Sequence, residues 1–302
     1  MTSVRTLLRP AAQGESTVRA LLRLSRPQQW HKAVMLFAAP AAAGALESPA
    51  IVVRAAIAAA GFVLLAVAIY AFNDIRDASD DRRHPRKRLR PVASGALSPA
   101  TAAVFGVSAA LLGLAVMSGL GWQTFSIAGV YLATQALYVA GLKHIAVVDL
   151  IIVALGFVLR AAAGGTATGL PVSNWFLLVS LFGAIFLVTG KRKAEHSTSG
   201  NAVSRPVLAA YPSSWLDQVM AVALLGTALS YGMWAFQNLG HDVYRELLAI
   251  SFVPFLTGLL RYALLVSTGR GEEPEHEIFR DHVLLVAGLI WAALLGVGLY
   301  AA

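Results

Sequence analysis

The sequence predicts an all-α, polytopic membrane protein, and three observations predict it: the composition, the long apolar runs and the uneven distribution of charge. Of the 302 residues, 57% are apolar and only 13% are charged, against about 25% charged in an ordinary soluble domain. The mean hydropathy of +0.67 implies more apolar surface than a soluble domain of this size can hide from water. Soluble, disordered and collagen-like classes are therefore excluded, and the lack of cysteine excludes disulfides and thiolate chemistry.

Nine segments approach the roughly 20 apolar residues that a helix needs to cross a bilayer. They are 29–46, 51–72, 98–119, 122–141, 146–166, 172–190, 214–237, 244–266 and 281–301. Their long, uniform apolar character favours helices over the alternating strands of a barrel. We expect one nine-helix transmembrane domain over 28–302. Before it, residues 1–27 form a basic segment that is either an amphipathic interfacial helix or a tail.

The basic residues predict the orientation of these helices. With the N-terminus inside, the 24 lysines and arginines all fall on the cytoplasmic side except Arg54 and Arg245 outside and Arg160 within a span. This is a strong positive-inside signal, and the odd number of spans places the C-terminus outside. We therefore expect a multi-pass protein of the plasma membrane, with its polar site in the cytoplasmic loops.

The loop at 73–97 carries the first candidate site. Asn73, Asp77 and Asp81 are four residues apart, so a continuing helix would place them on one face. Such hard oxygen donors suit Mg²⁺, which takes one or two carboxylates plus substrate phosphates. The cations that follow, including Lys87 and Arg90, suit a pyrophosphate. The alternative is a solvated loop, which would explain the cations but not the spacing of the carboxylates.

Other ionisable residues predict a cavity that reaches into the membrane. Asp149 and Arg160 lie within one predicted span on nearly the same helical face, about 16 Å apart along its axis, too far to pair. Intramembrane charges usually face a polar cavity, although an interhelical ion pair that fixes packing is the alternative. Lys143 and Tyr138 lie near the cytoplasmic end, where Tyr138 could bind a phosphate or serve as an interfacial aromatic.

A basic segment follows the sixth predicted span. Lys191, Arg192 and Lys193 are followed there by Glu195 as the single acidic residue of the segment. Lysine and arginine side chains bind phosphate directly. The alternative is a charged helix end that only anchors the span.

The pattern NDxxDxxxD followed by HPxKxxRPxxSG resembles the signature of the UbiA superfamily of intramembrane prenyltransferases. The residues that carry the resemblance are Asn73, Asp74, Asp77, Asp81, His84, Pro85, Lys87, Arg90, Pro91, Ser94 and Gly95. The resemblance implies a helical bundle around a cytoplasm-facing cavity. It also implies that Asn73, Asp77 and Asp81 hold Mg²⁺ on a diphosphate. By helical spacing, Asp74 and Asp80 lie off that face and either support the metal ligands or are solvated.

The chain departs from the usual superfamily pattern after the sixth span, where a second Asp-rich segment is replaced by the basic one. The basic segment together with the stretch from Asp149 to Arg160 resembles one branch of the superfamily. The enzymes of this branch are phosphoribosyltransferases for cell-wall arabinan precursors, with 5-phosphoribosyl-1-pyrophosphate as donor and decaprenyl phosphate as acceptor. The resemblance implies catalytic roles for Asp77, Asp81 and Asp149. The substrate-binding residues it implies are Asn73, Lys87, Arg90, Tyr138, Lys143, Arg160, Lys191, Arg192 and Glu195.

In this interpretation Asp149 and Glu195 accept hydrogen bonds from the ribose hydroxyls, or Asp149 instead supports Lys143. Two other functions are open. A conventional member would prenylate an aromatic acid or quinone precursor and would need a second carboxylate pair. A non-enzymatic transporter or scaffold of anionic lipids would not need the spacing of Asn73, Asp77 and Asp81. Nucleic acid is not an expected partner, because the basic loop lies between two spans; a homo-oligomer is compatible with the sequence.

Overall fold

A computed structural model describes residues 15–198, 206–237, 243–270, 277 and 279–301, and these residues form helices, turns and loops without a strand. The all-α prediction is confirmed. Seven helices in the described ranges are long and apolar enough to cross a bilayer, so the chain is an integral membrane protein. These seven are Pro49–Arg76, Pro99–Gly119, Val148–Thr168, Asn174–Glu195, Ser213–Gln237, Glu246–Ser267 and His282–Tyr300.

The α-helices are numbered in chain order. They are α1 (Thr17–Leu24), α2 (Ala38–Ala42), α3 (Pro49–Arg76), α4 (Ala78–Asp81), α5 (Pro99–Gly119), α6 (Trp122–Ala140), α7 (Val148–Thr168), α8 (Asn174–Thr198), α9 (Ser213–Gln237), α10 (Val243–Ile250), α11 (Phe252–Ser267) and α12 (His282–Tyr300). In the described ranges, four 3₁₀ helices accompany them: Pro27–Phe37, Lys87–Leu89, Leu142–His144 and Pro206–Ala210. The candidate span Glu246–Ser267, counted above as one helix, is interrupted at the buried Ser251, where α10 ends and α11 begins.

Two of the nine predicted segments lie outside the set of seven. Helix α6 has 19 residues, which is long enough, but Gln123 and Gln135 lower its hydropathy. The segment 29–46 starts inside an 11-residue 3₁₀ helix, Pro27–Phe37, and continues through the five residues of α2. Since a 3₁₀ helix rises about 2.0 Å per residue, the two pieces together extend about 30 Å, close to the thickness of the hydrocarbon core.

The chain divides into two compact units. Unit 1 consists of residues 1–34 and 57–139, and unit 2 of residues 35–56 and 140–302. In unit 1, α1 packs its buried Ala20 and Leu24 into an apolar cluster with Ala71, Val92 and Leu97. This cluster fixes α1 against the end of α3 and against the loop at 73–97.

Unit 2 is built around α7, α8 and α9, with α8 packed against both neighbours. Helix α7 also approaches Leu36, near the end of the first 3₁₀ helix. The approach is so close that a Cβ on Gly164 would lie 2.2 Å from the carbonyl oxygen of Leu36. Small residues permit such close backbone contact between membrane helices. Glycine is therefore required at this point of α7, which carries the second candidate site at its other end.

Candidate active site

The Asp-rich segment, defined as residues 73–97, begins where α3 ends. Helix α3 stops at Arg76 and α4 starts at Ala78, so Asp77 lies at a break in the helix. The hydrogen bonds continue across this break: the Asp77 amide donates to the Asn73 carbonyl at 2.9 Å, and the Asp81 amide donates to the Asp77 carbonyl at 2.8 Å. The backbone therefore keeps Asn73, Asp77 and Asp81 one helical turn apart, as the spacing predicts.

These three residues fit a divalent cation by the chemistry of their donors. They offer two carboxylates and one amide oxygen, and Mg²⁺ typically takes one or two carboxylates and completes its shell with water and substrate phosphates. No group of three or more His, Asp or Glu side chains in the described ranges is arranged to hold a metal by itself. The donor set fits an ion whose remaining ligands are water and substrate phosphates.

Two arginines neutralise the buried carboxylates of this segment. The Nη1 of Arg90 lies 2.7 Å from Oδ2 of Asp81 and 3.6 Å from Oδ1 of Asp74, and Arg26 forms an ion pair with the same Oδ1. Asp74 and Asp81 are 1% and 3% exposed. Asp74, predicted to lie off the metal-binding face, is therefore the buried partner of both arginines.

Arg26 is a residue of this site that the sequence analysis missed. It has a positive φ of 49°, which is uncommon for a residue other than glycine, and its guanidinium lies 4.8 Å from the centre of the Tyr70 ring. Arg23, three residues earlier, donates hydrogen bonds to the carbonyl of Leu89 and to Glu15. No sequence signal distinguishes Arg26 from the neighbouring arginines of the basic segment.

His84 shapes the turn that carries Lys87. Its Nδ1 accepts hydrogen bonds from the amides of Arg86 and Lys87, both at 3.2 Å. Burial, followed by the positive charge of Lys87, holds the pKa of His84 below its usual value. His84 is therefore a neutral acceptor at pH 7, and Lys87 is half-buried beside it.

The second cluster lies in unit 2 around Asp149, which is fully buried in the first turn of α7. Its Oδ1 accepts a hydrogen bond from the Tyr211 hydroxyl. Its Oδ2 lies 3.3 Å from Nη2 and 3.4 Å from Nε of Arg192. Arg192 is 2% exposed and also contacts Oε2 of Glu195 through Nη1 at 3.3 Å. The guanidinium predicted to bind phosphate is thus shared by two carboxylates.

Tyr211 is the second residue that the sequence analysis missed. Its hydroxyl oxygen accepts a hydrogen bond from the Val147 amide at 2.6 Å, and its ring stacks on Trp215 with centroids 5.1 Å apart. Val147 has a φ of 69°, a strained conformation for a β-branched residue. Burial, with the hydrogen bond to Asp149, raises the pKa of Tyr211 to about 12. The phenol therefore stays protonated and remains a donor.

The other predicted cations occupy different settings. Arg160 is 8% exposed, and its Nη1 donates to the carbonyl of Gly156 one turn earlier, at 2.9 Å. Lys193 pairs with Asp217, whereas Lys191 is half-buried. Lys143 lies in a 3₁₀ turn of unit 2, whereas Tyr138, half-buried near the end of α6, belongs to unit 1.

Comparison with known proteins identifies a family profile and named relatives that this chain matches. The profile of the UbiA prenyltransferase family matches residues 33–280. The chain is 39% identical over 290 residues to a decaprenyl-phosphate phosphoribosyltransferase of Corynebacterium glutamicum, covering 93% of this chain and 86% of that protein. It is also 39% identical over 289 residues to the Mycobacterium tuberculosis protein of the same name, covering 92% of this chain and 94% of that one.

Solved structures resemble the fold at low sequence identity. A UbiA homolog from Archaeoglobus fulgidus bound to GPP and Mg²⁺ superposes with a TM-score of 0.67 at 18% identity, covering 94% of this chain and all of that one. A digeranylgeranylglyceryl phosphate synthase superposes with a TM-score of 0.66 at 16% identity, covering 94% and 99%. At this identity the likeness establishes the fold alone.

Proposed function

The chain belongs to the UbiA prenyltransferase family, and on that premise we propose that it transfers 5-phosphoribosyl from 5-phosphoribosyl-1-pyrophosphate to decaprenyl phosphate, releasing pyrophosphate. The observation that carries this proposal is the 39% identity over more than nine-tenths of the chain to proteins named decaprenyl-phosphate phosphoribosyltransferases. The replacement of a second carboxylate pair by the basic segment at 191–193 supports it. The product would serve the synthesis of cell-wall arabinan precursors.

In unit 1, Asn73, Asp77 and Asp81 would hold Mg²⁺, which when bound neutralises the charge that develops on the pyrophosphate leaving group. Lys87 and Arg90 would bind the phosphate oxygens of the same group. Lys87 lies in a turn that is held by a hydrogen bond from its own amide to Nδ1 of His84. Arg90 has to leave Asp81 at least in part, because one guanidinium nitrogen now occupies that carboxylate.

In unit 2, Lys143, Arg160 and Lys191 are the cations proposed to bind phosphate groups of the substrates. Glu195, whose side chain is 16% exposed, is the better candidate for the ribose hydroxyls. Asp149 would act mainly by holding Arg192, since both of its carboxylate oxygens already have partners.

The reaction needs few proton transfers. The bond from ribose C1 to the pyrophosphate oxygen breaks, C1 gains oxocarbenium character, and an oxygen of the lipid phosphate forms the new bond. That phosphate is already ionised near pH 7, so the residues of the chain contribute mostly positioning and electrostatic stabilisation. Tyr138 would donate a hydrogen bond to a phosphate oxygen.

The positive-inside distribution supports a plasma-membrane protein with its N-terminus and Asp-rich segment in the cytoplasm and its C-terminus outside. The water-soluble donor would then reach unit 1 from the cytosol. Accessibility of single cysteines introduced at Arg86 and Trp122 to a membrane-impermeant maleimide tests this orientation, since the chain has no cysteine of its own. Labelling of residue 86 in intact cells would contradict it.

The activity is tested with purified protein, Mg²⁺, decaprenyl phosphate and ¹⁴C-labelled 5-phosphoribosyl-1-pyrophosphate. The expected result is a labelled lipid formed in equal amount to the pyrophosphate released. A parallel reaction offers geranylgeranyl diphosphate and 4-hydroxybenzoate. A prenylated aromatic acid without ribosylated lipid would replace the proposal by conventional prenyl transfer, and the absence of product in both reactions would favour a non-enzymatic lipid carrier.

A further inference from the structure

Asp74 has one carboxylate oxygen that is buried and without a partner. Its Oδ1 pairs with Arg26 and lies 3.6 Å from Nη1 of Arg90, but its Oδ2 has no hydrogen-bond donor within the described part of the chain. Buried carboxylate oxygens in native proteins are nearly always hydrogen-bonded, because leaving one unpaired is unfavourable. An exception beside a proposed metal site indicates an acceptor that is filled in another state of the protein.

Arg90 is the second guanidinium beside Asp74, with its Nη1 3.6 Å from Oδ1. Its Nη1 now lies 2.7 Å from Oδ2 of Asp81, and Asp81 is one of the residues proposed to hold the metal. A divalent cation and a guanidinium compete for the same carboxylate. The Arg90 side chain is 24% exposed, so it lies at the edge of the buried cluster and has room to move.

The charges of this cluster favour such an exchange. Arg26 and Arg90 together balance Asp74 and Asp81, and Asp77 adds one negative charge, so a divalent cation leaves a surplus of one positive charge on these residues. A diphosphate offsets that surplus. A shift of Arg90 toward Asp74 keeps part of its guanidinium paired and leaves its other N–H donors for the phosphate oxygens, while Asp81 turns to the metal. Arg26 keeps the other oxygen of Asp74 occupied, which leaves Oδ2 as the acceptor for Arg90.

We propose that Arg90 is exchanged between two carboxylates, pairing with Asp81 when the metal is absent and with Oδ2 of Asp74 when a divalent cation takes Asp81. Asp74 is then a positioning residue that sets the metal affinity through Arg90. The inference rests on the proposed function only in that Asp81 binds the metal.

A double-mutant cycle on metal binding tests the exchange. Binding of Mn²⁺ is measured by electron paramagnetic resonance in the full-length protein, without acceptor lipid, for wild type, Asp74→Asn, Arg90→Gln and the double variant. We expect Asp74→Asn to weaken Mn²⁺ binding by about 10- to 100-fold, the usual effect of losing a residue that orients a metal ligand. In the Arg90→Gln background the same substitution should change binding less than about twofold, because the two residues act as one unit.

Equal losses in both backgrounds would overturn the exchange, since Asp74 would then act by its charge alone. Asp80→Asn is the matched control: it removes a carboxylate one residue from Asp81, but its side chain is 84% exposed, and we expect unchanged binding. If Asp74→Asn fails to fold, the Mn²⁺ affinity of Arg90→Gln alone tests the exchange. Mn²⁺ should bind more tightly to that variant, because no guanidinium then competes for the Asp81 carboxylate, and unchanged or weaker binding refutes the exchange.

The outcome is separable from the proposed function. A wild-type protein that shows this coupling in Mn²⁺ binding but forms no ribosylated lipid would refute the function and keep the exchange. An active wild type whose variants have additive effects on Mn²⁺ affinity would keep the function and refute the exchange.

Discussion

Replacing Tyr211 by phenylalanine removes the hydroxyl oxygen that contacts the buried Asp149 in unit 2 and keeps the ring that stacks on Trp215. Two interactions are lost: the hydrogen bond to the buried Asp149 carboxylate and the acceptor for the Val147 amide. A hydrogen bond to a charged group contributes about 1.5–3 kcal/mol, and an orphaned buried donor costs about 1–3 kcal/mol. Because both involve one atom and are not additive, we expect the free energy of unfolding to fall by about 3–4 kcal/mol.

The measurement is equilibrium unfolding in mixed micelles, followed by the loss of helical circular dichroism. Tyr300→Phe is the matched control, because among the described residues the Tyr300 hydroxyl meets backbone groups only, at 3.3 Å from the Ala41 carbonyl and 3.5 Å from the Leu46 amide. At these distances we expect a loss below about 1 kcal/mol. Equal losses in the two variants would refute the importance assigned to the contact between Tyr211 and Asp149.

The contact between Tyr211 and Asp149 also predicts that the stability of the protein depends on pH in the alkaline range. Burial raises the pKa of Tyr211 from 10.0 to about 12, so the folded state favours the protonated phenol. Its contribution is complete below pH 10 and is lost as the pH rises toward 12. The wild type should therefore lose stability in that interval by more than Tyr211→Phe does, and parallel curves for the two proteins would contradict the assignment.

Three further predictions concern single side chains. Asp77→Asn should reduce turnover by at least about a thousandfold while circular dichroism stays unchanged; normal turnover would remove its metal role. Lys191→Ala should raise the KM of one phosphate-bearing substrate about tenfold, whereas Lys193→Ala, whose ammonium is already paired, should not; equal effects would deny Lys191 a specific role. The hydrogen bond from Arg261 lowers the pKa of Asp281 to about 2, so its contribution to stability is present above pH 3.8 and lost as the pH falls toward 2; thermal unfolding of Asp281→Ala should lack this acid-dependent step.

The fold follows from sequence because the physical signals that define it are local. Long apolar runs cannot be satisfied in water, and seven of the nine predicted segments form helices that meet the length and hydropathy of a span. The segment 29–46 differs in helix type, since nothing in its apolar pattern distinguishes 3₁₀ from α geometry. The spacing of Asn73, Asp77 and Asp81 likewise predicts their backbone register, because it depends on one helical path.

The pairing of the charged residues is not predictable in the same way. Asp149 meets Tyr211 and Arg192, which follow it by 62 and 43 residues, and Asp74 meets Arg26, 48 residues before it. Such contacts depend on tertiary packing that no local pattern encodes. The sequence identifies Arg192 as a cation, but only the structure places it between two carboxylates and so changes what it can bind.

The docking of α1 has a consequence for the synthesis of the protein. Leu24 packs against Val92 and Leu97, which leave the ribosome about 70 residues later, or roughly 4–14 s at usual rates of translation. An eight-residue helix is marginal alone in water. Val18 and Leu22, which remain exposed in the folded chain, can hold α1 at the membrane surface during that interval. We therefore expect the amphipathic composition of α1 to keep this helix at the membrane surface until Val92 and Leu97 are available for packing.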